Sequence, residues 1–275
     1  MPQNILQYTL VSLLLIELFT GCNRTGVYGT VTNHVGEALP GVSVQLDNNG
    51  EFSAVTNALG EYKLNAPPGK HTIQFAKSGY TLVNQNITPN DSLTQELTKV
   101  KLWNLPSSNS VFLRENTQYK PTTWHKPNHY ILANNSSAFG TTRDPELKTD
   151  NASPFIMSYK MPRYDARLTR LQIATAQVPQ DASQTFPVWA PAGTIPVSLD
   201  PVVSSDTDLL HLKLLAPLEP GRYALHWGAL EGYTTIDDRM YMFEIVESPG
   251  PFFQEADLEL EKEIEKEKII EGDAP

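Results

Sequence analysis

The residue groupings that could carry chemistry in this chain are few, and most lie between residues 102 and 253. His125 and His129 are the closest histidine pair, within Trp124-His125-Lys126-Pro127-Asn128-His129-Tyr130. Two imidazoles at that spacing can share a zinc ion on one helix face, but Pro127 argues against the helix, because it has no N–H to donate and its ring collides with the preceding turn. An extended chain would still keep both on one side, so the run reads either as half of a metal site or as an exposed, aromatic-rich loop. Paired acids at Asp206-x-Asp208 and Asp237-Asp238 fall within turns, where solvated carboxylates are the ordinary outcome. Lys160, Arg163, Arg167 and Arg170 gather beside Tyr159 and Tyr164. They could receive an anionic polymer or an acidic protein face through arginine forks, or serve only to charge a strand edge against unwanted pairing. Trp124 and Trp189 could stack on sugar rings if exposed and belong to the core if not, whereas Trp227 follows the alternating Tyr223 and Leu225 and reads as core. HExxH, GxSxG, GxxxxGK[ST] and paired CxxC are absent, so the expectation is a non-enzyme without metal or cofactor.

The single cysteine ends a segment of different character. Residues 1–22 read MPQNILQYTLVSLLLIELFTGC, apolar from Leu10 to Phe19 but too short to span a bilayer, as in an export signal. Phe19-Thr20-Gly21-Cys22 resembles a bacterial lipobox, whose cysteine thiol takes a diacylglyceryl group. The resemblance implies cleavage before Cys22 and a membrane anchor there. Asn23, rather than aspartate, after the cysteine implies the outer membrane of a Gram-negative envelope. Two plainer readings stay open, an ordinary signal peptide with an incidental thiol and a buried N-terminal strand with an inert one.

Charge narrows the partners. The chain has 275 residues with Lys+Arg 21 against Asp+Glu 31, a formal net charge of -10. Residues 254–275 hold nine acids against three lysines, and Glu17 is a further acid. The body from 23 to 253 is left at only -3, without the basic field that nucleic acid requires. With 19% charged residues, 21 prolines and 16 glycines, the composition favours extended segments and turns over surface helices. One thiol cannot form an internal disulfide framework.

The elements that must position these groups read as strands. From Gly26 the pattern has period two: Val27, Gly29 and Val31, then Val42, Val44 and Leu46, broken by Gly, Pro, Asn and Asp clusters. Gly29-x-Val31, Gly36, Leu39-Pro40-Gly41-Val42-x-Val44, Thr56-Asn57-x-x-Gly60-Glu61-Tyr62, Pro68-Gly69 and Ser78-Gly79-Tyr80 together resemble the carboxypeptidase regulatory-like domain, a transthyretin-like β-sandwich. The resemblance implies a folding or interaction module. The C-terminal Tyr-Arg-Gly-Ser of the related hydroxyisourate hydrolases and the first-strand lysine of isopeptide-forming pilin domains are both missing.

After Lys101, short apolar runs at 111–113, 129–133, 156–160, 168–174, 195–199, 209–215, 223–227 and 240–246 alternate with turn-rich stretches such as 134–142 and 187–193. The expected fold is all-β: two β-sandwich domains, transthyretin-like over 23–101 and immunoglobulin-like over 102–253, with a C-terminal acidic helical tail over 254–275. In that tail Glu259 with Lys262, Glu263 with Lys266 and Glu265 with Lys268 add about 0.2–0.5 kcal/mol each to a solvated helix.

Three functions follow as expectations. The first is a lipid-anchored envelope protein presenting surfaces to another envelope protein. The second is a carbohydrate- or peptidoglycan-binding module, marked by exposed Trp124 or Trp189. The third is an enzyme with a site dispersed over 102–253 that gathers His125, His129 and distant acids.

Overall fold

The computed structural model describes residues 25–89, 94–233 and 235–247; Cys22 and the acidic tail lie outside the described residues. It is all-β. Two compact units divide it: one runs to Ser107 and takes in Val202–Leu209, the other comprises Ser108–Pro201 and the chain from Leu210 onward.

The first unit contains β1 (Gly26–Asn33), β2 (Ser43–Leu46), β3 (Asn49–Val55), β4 (Glu61–Asn65), β5 (His71–Ala76), β6 (Val83–Ile87), β7 (Gln95–Glu96) and β8 (Val100–Leu102). One sheet runs β4-β1-β7 with β8 also on β1, and the other runs β3-β2-β5-β6. Strand alternation selects the inward residues: Val27 and Val31, Val44 and Leu46, Tyr62 and Leu64, and Ile73 and Phe75 share one buried cluster. Each such aliphatic side chain stabilises the sandwich by about 1.5–3 kcal/mol relative to exposure.

Two reversals share one grammar, Asn-x-x-Gly-Glu. At Asn33 the side-chain oxygen accepts the N–H groups of Val35 (3.2 Å) and Glu37 (2.9 Å); at Asn57 it accepts those of Leu59 and Glu61, both at 2.9 Å. Each Asn amide also donates to the Glu carboxylate, at 2.8 and 3.0 Å. An asparagine therefore does all that an aspartate would at 57 and adds a donor. Gly60 sits at φ 73°, and a Cβ there would collide with the Val31 carbonyl oxygen.

The second unit contains β9 (Ser110–Glu115), β10 (Gln118–Pro121), β11 (Thr123–His125), β12 (Asn128–Ile131), β13 (Ser137–Gly140), β14 (Lys148–Thr149), β15 (Phe155–Tyr159), β16 (Arg167–Val178), β17 (Asp181–Ile195), β18 (Val197–Val203), β19 (Asp206–Leu214), β20 (Gly221–His226) and β21 (Met240–Ile245). The end of β18, the start of β19 and the turn joining them, Val202–Leu209, belong to the first unit, where Ser205 Oγ donates to the Leu82 carbonyl at 2.8 Å and accepts the Asn84 N–H at 3.1 Å. The sheets run β10-β9-β15-β19-β18 and β11-β21-β20-β16-β17, with β14 beside β21 and β12-β13 as a separate hairpin. Val111, Leu113, Ile156, Leu210 and Leu212 of one sheet pack with Leu168, Tyr223, Leu225, Tyr241 and Phe243 of the other and with Trp227, just past the end of β20. The far face of the second sheet is covered too, through Leu171, Ala224, Met240 and Met242. This is why Met240-Tyr241-Met242-Phe243 is buried at every position instead of alternating.

The expected loops at 134–142 and 187–193 are corrected by the structure: β13 occupies part of the first and β17 all of the second. Proline is tolerated in β17 because this strand ends its sheet. Trp189 exchanges both main-chain hydrogen bonds with Thr141, at 2.7 and 3.0 Å, on the side away from β16. Alternation gives Pro187 and Pro191 the same outward orientation, so their missing N–H groups cost the β16–β17 ladder nothing.

Candidate binding groove of the second unit

The residues picked out by type do not converge on one centre. His125 belongs to β11 and His129 to β12, in different sheets. His125 is buried, its Nε2 has no hydrogen-bond partner among the described residues, and burial followed by the Arg143 charge holds its pKa below the ordinary histidine value. His129 meets Phe139 edge-on at 5.1 Å. Among the described residues no three His, Cys, Asp or Glu side chains are grouped to hold a metal ion.

The four bases also part company. Lys160 lies 5.3 Å from the Tyr159 ring and Arg163 5.8 Å from that of Tyr164. Arg167 pairs with Glu231 at 2.9 Å and Arg170 with Glu219 at 2.6 Å. They form no single anion-receiving face, because two of the charges already have carboxylates. Asp237 is not the solvated turn acid its sequence suggested. It is buried, held by Arg239 through both oxygens at 2.8 and 2.9 Å, and accepts the Tyr241 hydroxyl at 3.2 Å. Trp227 is core, with Nε1 donating to the Pro162 carbonyl at 2.9 Å. Trp124 is 52% exposed, with the Arg239 guanidinium 5.7 Å from its ring.

One buried series imitates a nucleophile, base and acid. His226 Nε2 lies 2.9 Å from Thr169 Oγ1, and its Nδ1 lies 3.6 Å from Glu231. The Gly228 N–H donates to Nδ1 at 3.2 Å, so the neutral ring carries its proton on Nε2 and donates to Thr169 instead of accepting from it. Thr169 and His226 are also shut off from solvent. The arrangement is a structural lock between β16, β20 and the turn beyond, and burial pushes the imidazole pKa down to about 4.

A concavity does gather two of the expected residues, Trp189 and Arg170. It is a groove of about 1050 Å³, lined by β16 from Arg170 to Ile173, β17 from Trp189 onward, and the chain from Leu215 to Arg222. The Arg222 guanidinium stands 3.8 Å from the Trp189 ring centroid. The indole N–H donates to Asp144 at 2.9 Å, which also pairs with Arg222 at 3.0 Å. Arg222 Nε reaches Glu244 at 3.4 Å, and Glu244 pairs with Lys148 at 2.9 Å. A cation–π contact of this kind is worth about 1–2 kcal/mol and fixes the ring. Beside this charge-paired cluster, Ile173 is 64% and Leu215 82% exposed. The groove therefore offers apolar contact and main-chain groups, with its charges already paired. Sequence reasoning missed Ile173, Leu215, Arg222 and Asp144; Ile173 follows Leu171 in phase, so alternation marks it as a buried strand residue and the sequence carries no signal of its exposure.

Fold and site together define an all-β protein with an open groove on its second unit. Residues 26–102 match the family model of the carboxypeptidase regulatory-like domain and form such a domain, as the motif series implied. No curated protein matches the chain. Among solved structures the chain is similar to a cohesin–X-dockerin complex from Acetivibrio cellulolyticus, at 19% identity over 29% of this chain and 58% of that one, with TM-score 0.24. It is similar to the streptococcal ancillary pilin at 14% identity over 82% and 60%, with TM-score 0.25. A DUF3823 family protein from Bacteroides ovatus matches at 8% identity over 80% and 99%, with TM-score 0.24. The chain thus spans little more than half of the first of these, 58% of its length.

Proposed function

We propose that this is a non-catalytic, lipid-anchored protein of the cell envelope that recognises another envelope protein through the groove of its second unit. The observation that carries this reading is the groove itself, where exposed Ile173 and Leu215 adjoin a charge cluster whose members are paired with one another. Such a surface suits an apolar or main-chain ligand better than a strongly charged one. The anchor rests on the lipobox-like run ending at Cys22, and Cys22→Ala should abolish lipid labelling and membrane retention; unchanged retention would remove the anchor from the account. The groove is tested by a photoreactive residue at Leu215 of the tagged full chain in its native envelope, with Val55 of the first unit, 65% exposed, as the comparison. A reproducible protein adduct from 215 alone is expected, and equal adducts from both positions would refute the assignment.

The exposure of Trp124 favours a second reading, stacking on a sugar ring. Binding of purified chain to a glycan array that disappears in Trp124→Ala, while the groove captures no protein, would establish it.

A further inference from the structure

The groove contains a break in a hydrogen-bond ladder, and the sequence explains the break. β20 pairs with β16 through Arg167↔His226, Thr169↔Ala224 and Leu171↔Arg222. Continued by one more pair, that register would set Pro220 opposite Ile173. Proline has no N–H to offer, and Gly221 at φ 152° turns the chain away. The Pro220 carbonyl is taken by the Arg170 guanidinium at 3.2 Å. Pairing along this edge of β16 resumes only at the Leu132↔Ala176 bridge, where the Thr175 carbonyl accepts the Ala133 N–H at 2.9 Å.

The main-chain groups of Ile173 point into that gap. Its register partner across β17 is Trp189, whose own N–H and C=O are engaged with Thr141 on the far side. Ile173 and Trp189 are therefore a non-hydrogen-bonded pair, and the N–H and C=O of Ile173 face the opposite way, on the side of the Thr175 carbonyl. Among the described residues neither group has a partner. A donor and an acceptor on one residue, at the floor of a groove, are the two contacts that one residue of an antiparallel strand supplies.

We infer that this gap is a strand-addition slot, filled by a short extended segment of a partner protein lying antiparallel to β16 over Gln172–Ala174. The inference rests on the protein-recognition reading above and gives it a mode. A segment residue opposite Ile173 exchanges both hydrogen bonds and sets its side chain on the face of Ile173 and Trp189, while its neighbours turn toward the other face. Charge fixes the chemistry of that residue. Arg170 with Glu219, and Arg222 with Asp144 and Glu244, are mutually neutralised along the walls, so the matching segment is uncharged at its centre and apolar or β-branched. A glycan has no alternation of amide donor and acceptor to match a strand edge.

The test pans a library of random decapeptides against the immobilised full chain and measures the selected peptides individually. Two variants separate the alternatives: Ile173→Pro removes the outward N–H without touching the β16–β17 ladder, and Ile173→Lys leaves the backbone intact but places a charge on the exposed edge. Expected are peptides with an uncharged centre, at least tenfold weaker binding in both variants, and slowed exchange of the Ile173 amide in the complex. Peptides that bind wild type and both variants equally would overturn the strand-addition mode while leaving protein recognition standing. An array of glycans binding where no peptide is selected would overturn both. Self-association of the free chain, lost in Ile173→Lys, would assign the slot to a second copy and overturn the foreign partner.

Discussion

The turns of the first unit and the Pro220-Gly221 corner of the second solve the same problem in opposite ways. At Asn33 and Asn57 the chain reverses and a side-chain oxygen accepts two of the N–H groups that the reversal exposes. At Pro220-Gly221 the chain leaves its sheet, and the neighbour it leaves behind, Ile173, keeps a bare donor and acceptor beside a groove. The first arrangement closes a domain. The second leaves an edge of a few residues, short enough to escape the aggregation hazard of a long one and open enough to accept a strand.

The comparison can be broken most severely at its closed end. Gly60→Val should destabilise the first unit by about 3 kcal/mol or more, since it combines a left-handed backbone penalty with a collision against the Val31 carbonyl. Urea unfolding followed by the fluorescence of this unit would read the loss; a change under 1 kcal/mol, on the order of a surface substitution, would mean the turn is not as closed as described.

A loss of similar size is expected in acid, and its sign follows from His226. The folded imidazole titrates near 4 against an ordinary 6.5, so between those values the unfolded chain binds a proton that the folded chain refuses. Stability is unaffected above pH 6.5, falls as the pH drops through the window, and is lower by about 3 kcal/mol at pH 4. His125 and His211 are shifted the same way by burial and add to the slope. Denaturation midpoints measured from pH 7 to 4 should fall less steeply in His226→Gln than in wild type; parallel curves would show that the lock does not exclude the proton.

Asn57→Ala should cost about 1–2 kcal/mol, because two N–H groups lose their acceptor, whereas Asn57→Asp keeps the acceptor, sets a solvated carboxylate beside that of Glu61, and should cost no more than about 1 kcal/mol. Equal losses would assign the effect to the amide donor and its bond to Glu61 instead. The smallest change belongs to the open end. Glu219→Gln removes an exposed partner of Arg170 and should alter stability by no more than about 0.5 kcal/mol.

The sequence was legible where one face of a strand is buried and the turn residues are diagnostic. Val27, Val31, Val44 and Leu46 alternate as they should, and the ordered glycine and proline positions pointed to the domain that the family model matches over 26–102. Legibility failed at β17, because Pro187 and Pro191 signal a loop unless one knows that the strand lies at the end of its sheet. It failed for the site because the groove is made by register. Trp189 and Arg170 were singled out for their side chains, but the main-chain groups of Ile173 matter through the three-dimensional coincidence of Pro220 opposite and Thr141 behind. The histidine pair was misleading for the converse reason: proximity in sequence, with Pro127 between, sent His125 and His129 to different sheets.

The most direct measurement is residue-resolved amide hydrogen exchange of the free full chain, comparing Ile173 with Leu171, two positions before it on the same strand. Leu171 faces Arg222 of β20 and should be strongly protected, while Ile173 should exchange orders of magnitude faster, at the rate of an exposed loop. Protection of Ile173 equal to that of Leu171 would mean that its N–H is already bonded in the free protein, and the open edge on which the recognition mode depends would not exist.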